Sequence, residues 1–434
     1  MSEEEKKDVQ EEAPQDIQVK EKIEEEFSFV KERFKDELPS GRRLFYKSLK
    51  LVGCGVIFGV AASFAFYALK PFVEERFGAS PAEIRILQDE DEQEDEGTTQ
   101  DPQEEQLPAV LTIDNYKELN KALLPIVNEV GKSIVEVRGV LAEEAWSEGS
   151  YDERNSVSGI FMADNGQEVL ILTYASILQE AIELQVTFVD NQTYLATPKV
   201  QDGNTGLAVV SIVKADIKES TWNQITPATL GNSNVVSRGD VSIAIGRQHG
   251  FAGSMSYGII SASKHHVEKI DGTYGVLNTD MPASPDGTGV LLNLAGEIVG
   301  IIDQRIPSGN NEHLITAYAV SDMKIPLNNL LNGKGIPYVG IRGVDITEAI
   351  AEQEGLPDGM YVREVMPDSP AMVAGVKTGD IITGVAGGEI STLAGYQRQL
   401  MEFQVGEIIK VTGKRLGNEG YADVQFDITI GNIE

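Results

Sequence analysis

Few side chains in this sequence are suited to covalent or metal chemistry. There is one cysteine, Cys54, and it lies in an apolar run, so no intrachain disulfide and no cysteine-based zinc site can form. The four histidines are His249, His265, His266 and His313; two are neighbours, and none has metal-ligand spacing. They read as exposed loop residues, and neither a metal nor a cofactor is expected. Hydroxyl chemistry would need a serine or threonine beside a base, because an unaided hydroxyl is a poor nucleophile at neutral pH. The segment SPDGTGVLLNLAGEIVGI, Ser284 to Ile301, offers Thr288 in a glycine turn ahead of two apolar strands. Its neighbour Asp286, an exposed carboxylate, is a weak base for that purpose.

Any such residue must be held by folded elements, and the chain is long enough to supply them. Its 434 residues suffice for two or three domains, with an ordinary apolar content. The formal charge of −32 argues against nucleic acid as a partner, since phosphate binding needs a basic face. Much of the acidic excess sits in tracts outside the expected domains. A charged tail, residues 1–50, carries Ile23, Phe27, Val30 and Phe34 at helical spacing. The stretch LVGCGVIFGVAASFAFYAL, residues 51–69, is uncharged and of the length that crosses a bilayer as one helix. Arg42, Arg43, Lys47 and Lys50 precede it, which places the N-terminus in the cytoplasm and the later domains outside. The expectation is therefore a single-pass cell-membrane protein with a transmembrane helix over 51–70. An acidic linker follows over 71–112, its core the self-repelling run Gln88 to Gln106.

From about Ile113 the texture changes. The stretch NYKELNKALLPIVNEVGKS predicts a helix and leads into SIVEVRGV. Short β-rich runs then alternate with Gly, Asn and Asp turns, among them SGIFMADNGQEVLILT, GLAVVSIV, DVSIAIG, YGIISASK, GVLLNL and EIVGIID. Many short strands of this kind point to a mainly β fold, a sandwich or a pair of barrels.

The order of landmarks resembles the HtrA/Deg family of serine proteases. Ser158-Gly159-Ile160-Phe161 is similar to its Gly-Ser-Gly-Phe strand. VVSRGDVSIAIGRQHGFAGSMSYGIISA, Val235 to Ala262, is similar to its Gly-Asp…Ala-Ile-Gly…Gly-Ile-Ile-Ser segment, and Thr279-Asp280 precedes the nucleophile loop. The resemblance implies a trypsin-like double β-barrel over 113–332, followed by an α+β PDZ domain over 333–434. It also locates the three catalytic positions. The histidine of Leu-Thr-Asn-Asn-His-Val-Val meets Ser176 in LTYASIL. The aspartate of Thr-Asp-Leu-Ala-Val-Leu meets Gly206 in TGLAVV. The serine of Gly-Asn-Ser-Gly-Gly-Pro meets PDGTGV, one residue short, where Thr288 or Gly287 faces the position and Thr288 is the more natural match. A chymotrypsin-type mechanism needs nucleophile, base and orienting carboxylate together, so the resemblance implies a fold that no longer cuts.

The C-terminal part, from IPYVGIRGVDIT onward, resembles a PDZ domain of the same family through GLPDGMYVREVMPDSPAMVAGVKTGDIITGVAGGEI, Gly355 to Ile390. A short helix is expected at Ser369-Pro370-Ala371 and a groove-wall helix over Leu393 to Met401. Tyr338, Val339, Gly340 and Ile341 match the carboxylate-binding loop, whose backbone N–H groups hold a terminal carboxylate. Tyr396 and Leu400 on the wall helix either shape the pocket or pack the core. The resemblance implies unfolded or C-terminal peptide segments as partners, in quality control or scaffolding outside the cytoplasm. It also implies trimers, of this chain or with an active relative. Two further readings stand beside it: an active endopeptidase degrading misfolded proteins, and a structural subunit for an active relative.

Overall fold

The computed structural model describes residues 82–89, 113–141, 155–307 and 313–433. The tail, the apolar stretch 51–69 and most of the acidic linker lie outside them. Among the described residues no helix is long and apolar enough to cross a membrane. The expected single-pass membrane location is therefore withdrawn.

Helix α1 (Ile113–Gly131) leads into strand β1 (Ile134–Leu141), as the sequence predicts. Strands β2 (Ser156–Asp164), β3 (Glu168–Tyr174), β4 (Ala181–Thr187), β5 (Thr193–Asp202) and β6 (Leu207–Val213) complete a first closed antiparallel barrel in the order β1-β2-β3-β6-β5-β4. A second closed barrel is built from β7 (Val241–Arg247), β8 (Ser254–Lys269), β9 (Gly272–Pro282), β10 (Thr288–Leu292), β11 (Ile298–Asp303) and β12 (Leu314–Ala319), in the order β10-β11-β12-β9-β8-β7.

The near-continuous apolar runs follow from which faces are covered. Successive side chains of a strand point to opposite faces. In β3, Val169 and Ile171 fill the first barrel, while Leu170, Leu172 and Tyr174 pack outward against the second. In β10, Leu291 fills the second barrel and Val290 and Leu292 face the first. A strand buried on both faces has no polar side to show, so it reads as unbroken apolar sequence. Each fully buried aliphatic side chain contributes about 1.5–3 kcal/mol by leaving water, and this shared core holds the two barrels against each other.

Helix α2 (Val320–Leu331) buries Met323, Leu327, Leu330 and Leu331 in the same core. It ends at Gly333, whose φ of 68° is left-handed and suits glycine. A third sheet follows, β13 (Ile341–Asp345), β14 (Met360–Val365), β15 (Ile381–Val385), β17 (Ile408–Gly417) and β18 (Gly420–Thr429) in that order, with β16 (Gly388–Glu389) paired to β15. Helix α3 (Pro370–Ala374) starts where expected: Ser369 caps it by accepting the Met372 N–H at 3.2 Å, and Gly375 closes it at φ 88°. The wall helix α4 (Leu393–Leu400) is capped by Thr392, which accepts the Gly395 N–H.

Part of the expected spacer is folded. Asn332 holds residue 84 through both its side-chain oxygen, which accepts Ile84 N–H at 2.9 Å, and its amide, which donates to Ile84 O at 2.8 Å. Asn328 accepts the Ile86 N–H. Asp89, read from sequence as solvated linker, accepts from buried Lys324 at 2.7 Å and from Ser321 at 2.5 Å. Residues 82–89 thus form a strap along α2.

Candidate functional site

Ser176, Gly206 and Thr288, the positions that the resemblance sets against a triad, are linked through a few hydrogen bonds and strand pairs. Ser176 is exposed on a 3-10 turn, Ala175–Leu178, after β3. Gly206 ends the turn between β5 and β6 at φ 74°, and its carbonyl accepts the Ala175 N–H at 2.9 Å, which brings the first two positions side by side. Thr288 opens β10 and pairs with Asp303 on β11. Asp303 carries Arg305 across to the first barrel, so all three positions share one patch.

The side chains of that patch are engaged in hydrogen bonds with one another. Thr288 is 7% exposed, and its Oγ1 accepts the Ser158 N–H at 2.9 Å while Ser158 Oγ donates back to Thr288 O at 3.2 Å. This reciprocal pair ties β10 to β2 across the barrel junction. Gly287, the other candidate, has no room for a side chain: a Cβ would stand 2.7 Å from Gln248 O and 2.9 Å from Ser284 O. Two of the loop amides are engaged. Ser284 N–H donates to Gln248 O, Gly287 N–H donates to Ser284 O, and Pro285 between them has no N–H. An oxyanion hole needs free, convergent donors, and of Ser284–Gly287 only the Asp286 amide is left for one.

Beside Gly206, where the orienting carboxylate would sit, stands Arg305. Its Nη2 donates to Gly206 O at 3.4 Å and would lie 3.1 Å from a Cβ at position 206. Nε and Nη2 make a two-pronged pair with buried Asp303 at 2.8 and 2.7 Å, the geometry in which guanidinium–carboxylate pairs are strongest. The guanidinium lies over the ring of Tyr174, 5.5 Å from its centre. Burial first, and Asp303 second, push the Tyr174 phenol far above its ordinary value, so it stays neutral. Its hydroxyl donates to Ile302 O and accepts the Gly289 N–H at 3.4 Å.

The histidines do not enter this patch through any hydrogen bond. His249 bonds Ser256 at 2.7 Å; His265 and His266 lie exposed on β8, on a strand rather than in a loop as expected; His313 is exposed before β12. Among the described residues no cluster of ligating side chains fits a metal. A cavity of about 410 Å³ opens beside the Thr288–Ser158 pair, lined by Glu136, Ser158, Phe188, Gly246 and Arg247 among others.

The second site is the loop Tyr338–Ile341 at the edge of the third sheet. Gly340 has φ 93°, and a Cβ there would overlap Ser369, so only glycine fits. The loop is fixed from behind: Met366 N–H donates to Gly340 O and Ala371 N–H to Val339 O, both at 2.9 Å. Its own amides therefore point the other way, and they converge on a carboxylate. Asp271, in the two-residue turn Ile270–Asp271 between β8 and β9, accepts Val339 N–H and Gly340 N–H at 2.7 Å each and Ile341 N–H at 2.9 Å. Tyr396 OH donates to the same carboxylate at 3.0 Å. Tyr338 pairs through its backbone with Gly431 and anchors the loop's start. Leu400 is fully buried in the core of this sheet, with Val339 and Ile341. Tyr396 is equally buried, but its hydroxyl reaches the seat.

The sequence reading missed Asp271, Asp303, Arg305 and Tyr174. An Asp-Gly pair between strands signals a hairpin turn and nothing about what its side chain caps. The other three are ordinary strand and turn residues until the barrels meet.

Two family models match the chain: a trypsin-like peptidase domain over residues 157–301 and a PDZ domain over residues 337–428. The chain is similar to the serine protease Do-like HtrB of Bacillus subtilis (strain 168), 29% identical over 280 residues, covering 60% of this chain and 59% of that protein. It is similar to the serine protease Do-like HtrA of the same organism, 28% identical over 334 residues and 72% of each chain. Among solved structures, the HtrA-type protease AlgW with a tripeptide superposes with a TM-score of 0.50 at 22% identity, over 72% of this chain and 97% of that one, a likeness of fold.

Proposed function

Taking this chain as what it is, a homologue of the HtrA-type serine proteases with a trypsin-like peptidase domain followed by a PDZ domain, we propose that it binds extended peptides and does not cut them. The single observation behind the loss of cleavage is the fate of the Thr288 hydroxyl. It is buried, it receives the Ser158 amide, and at the position where a base would stand is Ser176. A serine hydroxyl has no proton affinity to offer at neutral pH, so attack on a carbonyl lacks its proton acceptor. The binding half is supported by three backbone N–H groups of Val339, Gly340 and Ile341 aimed at one point, which suits a C-terminal carboxylate. Beside that seat, β13 ends the sheet order and can take an added strand.

The test is casein digestion by the full chain, by Thr288→Ala and by an active relative under the same conditions. Equal background for the first two, with cleavage by the relative, is the expected result. Cleavage that vanishes in Thr288→Ala would overturn the reading and reinstate the endopeptidase.

A further inference from the structure

The carboxylate seat of the third sheet is already taken, and the occupant belongs to the chain itself. Asp271 does more than place an acid near three amides. Its own N–H donates to Ile341 O at 2.7 Å, a ladder bond to the strand that follows the loop. A carboxylate in the loop together with an N–H on the first residue of the edge strand is what the terminal residue of an extended ligand would supply. Asp271 supplies both at once, with its side chain in place of the chain terminus. It is 4% exposed and lies at φ 57°, the left-handed conformation that Asp tolerates in a two-residue hairpin turn.

The hairpin around it is fastened to both neighbours. Towards the third sheet, Thr273 N–H donates to Gln397 Oε1 on α4 at 3.0 Å, and Glu268 pairs with Arg363 at 2.8 Å. Towards the first barrel, Asn204 grips Ile270 on both sides: Nδ2 donates to Ile270 O at 2.7 Å and Oδ1 accepts Ile270 N–H at 3.2 Å.

We propose that Asp271 is a built-in stand-in for a peptide's C-terminal residue, and that a ligand with a free carboxylate binds by displacing the β8–β9 turn from the loop Val339–Ile341. This rests on the peptide-binding reading above and adds how that site is regulated. The displacement is a competition between an intramolecular and an incoming carboxylate for the same donors. The apparent affinity of the intact chain is lowered by the fraction of molecules whose seat is open. A carboxamide or an internal segment without a carboxylate cannot repay the three amides that Asp271 gives up.

The probes are fluorescein-labelled hexapeptides ending in Val, Leu, Ile or Phe, each as the free acid and as the C-terminal amide. Anisotropy is read with the full chain, Asp271→Ala and Asp271→Asn. Hydrogen exchange of segment 338–342 is followed in parallel without peptide. Removing the occupant should accelerate exchange there and tighten free-acid binding at least tenfold in Asp271→Ala, with Asp271→Asn between, and leave the amides weak throughout. Barrel amides such as those of β3 should stay protected, which separates release of the seat from unfolding. Should the chain and both variants bind the free acids equally, or exchange at 338–342 not change, the stand-in is refuted while peptide binding stands. Should the seat exchange faster yet no free acid bind any form, the peptide-binding reading falls, and the competition with it.

Discussion

At Gly206 the decisive fact is what occupies the space as well as what is missing. A carboxylate introduced there would meet Arg305, which is already committed to Asp303 and sits over Tyr174. Serine at 288 would keep the bond to the Ser158 amide, because only the methyl group is lost. The triple change Ser176→His, Gly206→Asp, Thr288→Ser is therefore expected to leave casein uncut; cleavage at a rate tracking a titrating histidine would show the patch to be more adaptable than its contacts imply. Removing the guanidinium has a different cost. Arg305→Ala strands the buried Asp303 carboxylate, and the expected loss is about 2–3 kcal/mol in chemical denaturation. Asp303→Asn with Arg305→Ala should recover part of it, since an amide tolerates burial better than an unpaired charge. At Gly340 the constraint is steric. Gly340→Ala sets a Cβ against Ser369 at a φ that L side chains avoid, and should abolish free-acid peptide binding while leaving the barrels' unfolding unchanged.

The elements were the most legible part of the chain. The helix before the first barrel, the glycine-bounded strands, the capped helix at Ser369 and the wall helix after Thr392 all follow from local signals: alternation, turn residues and N-caps. The positions set against a triad, Ser176, Gly206 and Thr288, come from the family resemblance alone, through their places beside recognisable strands. The acidic run misled at its first residues. Composition marks Gln88 and Asp89 as solvated linker, yet Asp89 is inside a buried pair, because its partner Lys324 lies on α2, 235 positions away. No local pattern carries that information. The strap has a measurable value. Asp89→Ala leaves the Lys324 ammonium buried without its carboxylate, at an expected cost of about 3–5 kcal/mol. Asp89→Ala with Lys324→Met should restore most of the melting temperature; an unchanged melting temperature in Asp89→Ala alone would mean that the strap adds nothing to the fold.

Across the whole molecule, the two sites are joined by a short run of hydrogen bonds. Asp271 fills the amide seat of the loop Val339–Ile341, the preceding residue Ile270 is held by Asn204, and Asn204 lies in the turn that ends at Gly206. That turn is stiff: Asp202 accepts from the amides of Asn204 and Thr205 and from the Thr205 hydroxyl at 2.5 Å, and Gly206 N–H returns to Asp202 O. A stiff turn makes Asn204 a fixed anchor for the hairpin, so the anchor and the occupant should act on peptide affinity through one equilibrium. Asn204→Ala removes the grip without touching the seat. It is expected to tighten free-acid binding by about threefold to tenfold, a change of about 0.7–1.4 kcal/mol, by raising the fraction of molecules with an open seat. In Asp271→Ala the seat is open already, and adding Asn204→Ala should then change nothing. That non-additivity is the signature of two residues biasing one hinge. Independent, additive effects would mean that the turn and the seat are merely neighbours, and that binding at the third sheet is silent at the patch around Gly206.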